Sequence, residues 1–219
     1  MAGAVAWISV SAFTVMNIAA ATRWQDPGYS VRRNFISSLG TTECLTQAGK
    51  FVCSPWHLAA DVTWIAVGLL IAAGAYLLRR AFPANRLSRA GLLLLLVNGI
   101  GLVIVGANPD NLRPAVHFFG GAVGGLAGVL GALVLGLALR RDRFWRAYGY
   151  AAIVIAFLSG VGAALMQVST NWVGLFESLL AYPVMWWMTA AGIRVLLSAR
   201  RQCPDIPTTP APKLRGRTR

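Results

Sequence analysis

The chain has 219 residues, of which 57% are hydrophobic and only 12% charged. A soluble globular domain is about 45–50% apolar and about 25% charged, and a disordered chain is poorer still in apolar residues, so both classes are excluded. Twenty Lys and Arg against seven Asp and Glu leave a net charge of +13, which would suggest nucleic acid in a soluble protein, but the placement of the charges points to a membrane.

Six stretches are about 20 mostly apolar residues long, enough for a helix to cross a bilayer core of about 30 Å. They run over 2–22, 57–78, 90–107, 116–139, 147–166 and 172–197. The runs are continuous rather than alternating, which argues against transmembrane β-strands. The expected fold is all-α: a polytopic integral membrane bundle of six transmembrane helices in one domain, 1–200, followed by a disordered, proline-rich basic tail, 201–219. Fifteen of the twenty basic residues fall on one side of these spans: Arg79, Arg80, Arg86 and Arg89, then Arg140, Arg141, Arg143 and Arg146, then those from Arg194 onward. The positive-inside rule makes that side cytoplasmic, with both termini, and the protein a multi-pass protein of the plasma membrane. Membrane lipid is the natural partner of such loops, and nucleic acid is not a partner, because no basic face with interleaved aromatics forms a separate domain. Span one has Arg23 after it and no basic residue before it, a local bias that the later loops outweigh. The missing basic n-region makes it a retained span rather than a cleaved signal peptide.

The first external loop, 23–56, is the longest and carries Cys44 and Cys53. In an oxidising compartment they are expected to form a disulfide closing a small hairpin. Cys203, in the tail, is expected to be a free thiol. The loop also offers Asp26, Tyr29, Ser30, Arg32, Arg33, Asn34, Ser37 and Ser38. Arg32 and Arg33 suit a phosphate or carboxylate head group, with Tyr29, Asn34 and Ser37 adding neutral hydrogen bonds. In the alternative, the loop only seals the bundle and the arginines pair with Asp110 and Glu177.

Span two opens with His57 and Asp61, four residues apart and so on one helix face. Span three ends near Asn108 and Asp110, Arg113 follows, and span four opens at His117. Within span four, Gly120, Gly124 and Gly128 recur every four residues and form a small-residue face for close helix packing, through which an oligomer could form; a ligand channel along it is the alternative. Eight tryptophans are many for this length. Trp24, Trp56, Trp145 and Trp172 fall at span boundaries and read as an aromatic belt. Trp64, Trp186 and Trp187 lie deeper, either packed toward lipid or lining a pocket. His57, Asp61 and His117 with Glu177 offer donors that suit zinc and similar ions, but their spacing matches no zinc signature; the expected reading is that each histidine caps a helix or hydrogen-bonds at the interface, with no metal and no cofactor.

Span six contains Glu177. Ionisable residues inside spans are costly and suggest function. Three roles compete: an ion pair with Arg32, Arg33 or Arg113; a general acid; or a cation- or proton-binding group on a transport route.

The run Pro27-Gly28-Tyr29-Ser30-Val31-Arg32-Arg33-Asn34-Phe35-Ile36-Ser37-Ser38-Leu39-Gly40 resembles a prokaryotic family catalogued as domain of unknown function 998, with its Tyr-Ser-x-x-x-Asn-x-Ile-Ser-x-Leu-Gly loop. Asn108-Pro109-Asp110 followed by His117 is a second match. Gly174-Leu175-Phe176-Glu177 is a third, although family members often continue with Arg where this chain has Ser178. The resemblance covers most of 1–200 and implies six spans; it implies no activity.

With the polar residues gathered at the external side, the expected function is to bind or act on a lipid or isoprenoid, a hydrophobic small molecule. Glu177 or Asp61 would be the acid or base, His57 and His117 would assist, and the substrate-binding set is Arg32, Arg33, Asn34, Tyr29, Ser37, Asp110 and Arg113. Small membrane terpene cyclases share this size and use of helix-borne carboxylates. The alternatives are a small-molecule or lipid transporter and a non-catalytic assembly subunit.

Overall fold

A computed structural model describes residues 1–25, 27–47 and 49–201. Asp26 and the tail beyond 201, with Cys203, lie outside the described residues.

Among the described residues, six helical segments are long and apolar enough to cross a membrane. The first is α1 (Ala2–Ser9) continued by α2 (Ala12–Thr22). Between them, Val10 and Ser11 donate three residues back, to Trp7 and Ile8, so one tight turn replaces α-helical bonding without ending the span. The others are α3 (His57–Leu77), α4 (Arg86–Ala107), α5 (Pro114–Leu139), α6 (Arg146–Met166) and α7 (Val173–Arg201). The ends follow local chemistry. The Asn85 side chain accepts from the Ser88 N–H and starts α4 four residues before the apolar run. Pro114 sits at the first position of α5, where its missing N–H costs nothing. Pro183 lies inside α7, which continues through it.

Consecutive spans pack side by side, and the first closes against the last, so the spans form a ring. Glycines set the closest crossings. A Cβ on Gly68 would stand 2.5 Å from the Gly99 carbonyl oxygen, and one on Gly101 2.4 Å from the Gly124 Cα. The Gly120–Gly124–Gly128 face is therefore occupied by α4 within the same chain, against Ile104, Gly101 and Asn98.

Tryptophans bind the ring from inside. Trp7 donates to the Ile71 carbonyl at 3.2 Å, Trp64 to Asn17 Oδ1 at 2.8 Å and Trp187 to the Tyr148 carbonyl at 3.0 Å. Trp64 and Trp187 are buried, not packed toward lipid, while Trp186 is exposed. Trp24 and Trp145 are buried as well, so of the four tryptophans assigned to a belt only Trp56 and Trp172 are exposed. Inside a bundle an indole N–H favours an acceptor, which Trp145 finds in a loop carbonyl, whereas the buried Trp24 N–H has no hydrogen-bond partner and its ring packs edge-on against Tyr29. At the end opposite the long loop, Trp145 donates to the Ala81 carbonyl, and the Arg194 guanidinium lies 4.0 Å from the Phe144 ring centre while donating to the Phe144 carbonyl.

The long loop adds two strands that the hydropathy reading did not include. β1 (Leu45–Gln47) and β2 (Lys50–Val52) pair antiparallel, Leu45 opposite Val52, with Gly49 turning at φ +73°. The Cys44–Cys53 disulfide closes this hairpin, as expected. Lys50 Nζ donates to the carbonyls of Arg33 and Thr170, tying the hairpin to the neighbouring loop and to the chain before α7. Cys53→Ser should lower stability by about 2.5 kcal/mol, the loop-closure value for a ring of this length. Denaturant unfolding of the variant, and of the wild type with and without reductant, measures it; equal midpoints would mean that the hairpin holds without the bridge.

Candidate functional site

The segment before the hairpin is built by its own side chains. The Ser30 N–H donates to Asn34 Oδ1 at 2.9 Å, an Asn-centred turn, and the Tyr29 hydroxyl donates to the Asn34 carbonyl at 3.3 Å. Burial raises the Tyr29 phenol well above its ordinary pKa, and the charges of Glu177 and then Tyr182 push the same way, so the phenol stays protonated and donates. A short 3₁₀ turn follows over Ser37–Gly40. Its first N–H groups have no partner within the turn. Glu177 supplies one from α7: its carboxylate accepts from the N–H of Ile36 and is hydrogen-bonded by the N–H and hydroxyl of Ser37. The carboxylate is a helix cap delivered from another element.

One turn earlier on α7, Gly174 lets the loop lie directly on the helix. A Cβ there would fall 2.0 Å from the Asn34 carbonyl oxygen, and the Gly174 N–H donates to the Arg32 carbonyl. The guanidinium of Arg32 stacks on Trp172 at 4.8 Å, Arg33 is exposed, and Arg113 reaches Asn108 Oδ1. Among the described residues, none of these three arginines pairs with Glu177.

Beneath the Tyr29–Gly40 segment, which latches onto α7, lies a cavity of about 120 Å³. Phe13, Trp64, Leu180 and Met185 are among its apolar walls, and Gly120, Gly121, Gly124, Gly125 and Gly128 line it along α5. Three polar residues border it: Ser37 and Glu177 at the loop end, and Asn98 from the middle of α4. Asn98 Nδ2 donates to the Gly124 carbonyl at 2.9 Å, and its buried Oδ1 has no hydrogen-bond partner. Gly121 lines the cavity and is itself exposed, so the cavity is not sealed along α5.

The other expected site residues sit elsewhere. Asp61 and Asp110 are buried beside each other next to the 3₁₀ turn, close enough for their charges to repel. Asp110 accepts from the Thr41 hydroxyl at 2.9 Å. The Gly40 backbone packs on Asp61, where a Cβ would meet Oδ1 at 2.2 Å. His57 Nδ1 is 3.0 Å from the Ser54 carbonyl oxygen, just before its own helix, and His117 Nδ1 is 2.8 Å from that of Asn108, which ends α4. Neither histidine lines the cavity, and among the described residues no group of three His, Cys, Asp or Glu converges as a metal site.

The sequence model of the protein family of unknown function DUF998 matches residues 2–194. The chain belongs to that family. No curated protein and no solved structure matches it. The three motifs that resembled DUF998 in the sequence meet in space: the Tyr29–Gly40 run forms the latch, Gly174–Glu177 receives it, and Asp110 holds Thr41 just after it. Two polar residues of this DUF998 chain escaped the sequence reading. Asn98 and Asn17 each stand mid-span, which is the signal that intramembrane polarity gives. They were passed over because they carry no charge.

Proposed function

We propose that the protein binds a lipid or isoprenoid in the cavity beneath the loop, the apolar chain entering from the bilayer at Gly121 and the polar end meeting Glu177. The observation that carries this reading is a mostly apolar cavity among the membrane-length helices, with Ser37 and Glu177 at its loop end. An engineered cavity of about 150 Å³ holds one benzene-sized molecule. A cavity of about 120 Å³ therefore takes one such segment, and the rest of a longer chain extends through the opening. The loop end is taken as external. The disulfide there suits an oxidising compartment, and the arginine-rich loops at the other end suit the cytoplasm.

Binding is the step this arrangement supports best. Glu177 reaches the cavity as an acceptor already engaged by Ile36 and Ser37, which suits holding a polar group more than delivering a proton to an alkene. Mass spectrometry of the purified protein tests the proposal. Wild type should carry a defined lipid or isoprenoid, and Gly125→Leu should carry at least about tenfold less, a loss of about 1.4 kcal/mol in binding. A Cβ at Gly125 meets only Leu180, at 3.4 Å, so the new side chain must fill the cavity. Equal lipid content in the two proteins would sink the proposal.

A further inference from the structure

We propose that Asp61 is a proton-binding site: it stands in the bundle as a neutral acid beside Asp110, and its proton keeps the end of the Tyr29–Gly40 segment seated on α3. The inference is independent of the cavity, which neither Asp61 nor Asp110 lines. It comes from comparing three carboxyl groups at the loop end of the bundle. Glu177 accepts hydrogen bonds from Ile36 and Ser37, and Asp110 accepts one from the Thr41 hydroxyl. Asp61 is only 6% exposed, and its buried Oδ1 has no hydrogen-bond partner. That oxygen occupies the space where a side chain on residue 40 would begin, so the Gly40 backbone closes over it.

A carboxyl group placed there has lost its water and gained no donor in return, which disfavours the charged form. No cation offsets it. Of the elements packed on α3, α1, α2 and the Ser37–Gly40 turn carry no ionisable side chain, and α4 and Leu78–Arg80 carry theirs at the opposite end. His57, one turn earlier on α3, is turned to the Ser54 carbonyl, and His117 and Arg113 bond to Asn108. Among the described residues, the charge that acts on Asp61 is that of Asp110, which is also within reach of Glu177. Asp61 and Asp110 meet two consecutive residues, Gly40 and Thr41. Negative charge on both would push apart the helix and the loop that hold this turn. One proton on Asp61 removes the repulsion and needs no room of the kind that a metal ion or a water molecule requires. When that proton leaves for the external water, the repulsion returns and this end of the segment loosens, while Glu177 still caps the other end.

Infrared spectroscopy of the full-length protein in an ester-free detergent tests the proposal, because a neutral carboxylic acid and a carboxylate absorb at different frequencies and surface carboxylates are ionised at neutral pH. Wild type and Glu177→Gln should both show the carbonyl band of a neutral acid at neutral pH, and Asp61→Asn should lose it. Exchange of the Gly40 and Thr41 amides, corrected for the intrinsic effect of pH, should accelerate in wild type as the pH rises through the range where the band disappears, and should not do so in Asp61→Asn. Should that variant fail to fold, Glu177→Gln decides by itself: no acid band at neutral pH in this protein means that Asp61 is ionised and sinks the proposal. A band that survives Asp61→Asn unchanged sinks it as well. An absent band together with a higher melting temperature in sodium chloride than in choline chloride would replace the proton by a metal cation.

Discussion

Glu177→Leu is expected to lower stability by about 3 kcal/mol and to free the segment around residues 30–40. The leucine keeps the bulk but leaves the N–H groups of Ile36 and Ser37 without an acceptor, where water cannot easily replace it. Each buried donor left unpaired costs about 1–3 kcal/mol. Glu177→Gln keeps one acceptor oxygen and should cost about 1 kcal/mol. Unfolding in detergent gives the two values, and amide hydrogen exchange at Ile36 and Ser37 locates the change. Exchange at these two amides should accelerate in the Leu variant before the helix amides do, because the latch opens locally. Two variants with wild-type stability and unchanged exchange would show that the cap contributes nothing. The comparison also separates folding from function: loss of bound lipid in a stable Glu177→Gln protein reports on the cavity, whereas loss in the Leu variant alone reports on the latch.

The six spans were legible because a bilayer core demands long apolar runs, and arginine clusters mark their ends. The disulfide was legible for a similarly direct reason, since two cysteines share one loop, and Glu177 stood out as a carboxylate inside a span. The partner of Glu177 was not. Charge arithmetic pointed to Arg32, Arg33 or Arg113, while the structure gives backbone N–H groups, which have no signature in the sequence. Any segment that ends its own hydrogen bonding can cap onto a carboxylate. The tryptophans show the same limit. Composition places aromatics at membrane boundaries, but Trp64 points inward because Asn17, 47 residues earlier in the chain, offers it an acceptor. The glycine pattern of α5 was visible as a packing face, but periodicity alone does not say which helix lies on it.

That partner helix sets the second large effect. Gly99→Val is expected to prevent normal assembly of the bundle or to cost about 3 kcal/mol or more, the upper range for overpacking. A Cβ at Gly99 would stand 2.4 Å from the Gly68 carbonyl oxygen and 2.9 Å from the Ala72 nitrogen, so backbone rather than a flexible side chain would have to move. Between helices in lipid there is little hydrophobic driving force, and close van der Waals contact holds them together. Separating α3 from α4 therefore removes the attraction and leaves no compensating term. Gly121→Ala is the control: its Cβ would meet only Val105, at 3.8 Å, and a helical Gly→Ala change should be neutral or stabilising by about 0.5 kcal/mol. The yield of monodisperse protein after detergent extraction, followed by unfolding, distinguishes the two. The same geometry applies to Gly124→Leu, whose side chain would be driven into the α4 backbone at Gly101. It should unfold the chain rather than release a partner. A Gly124→Leu protein that stays folded but changes its oligomeric state would mean that α4 yields and that the glycine face also serves contacts between chains.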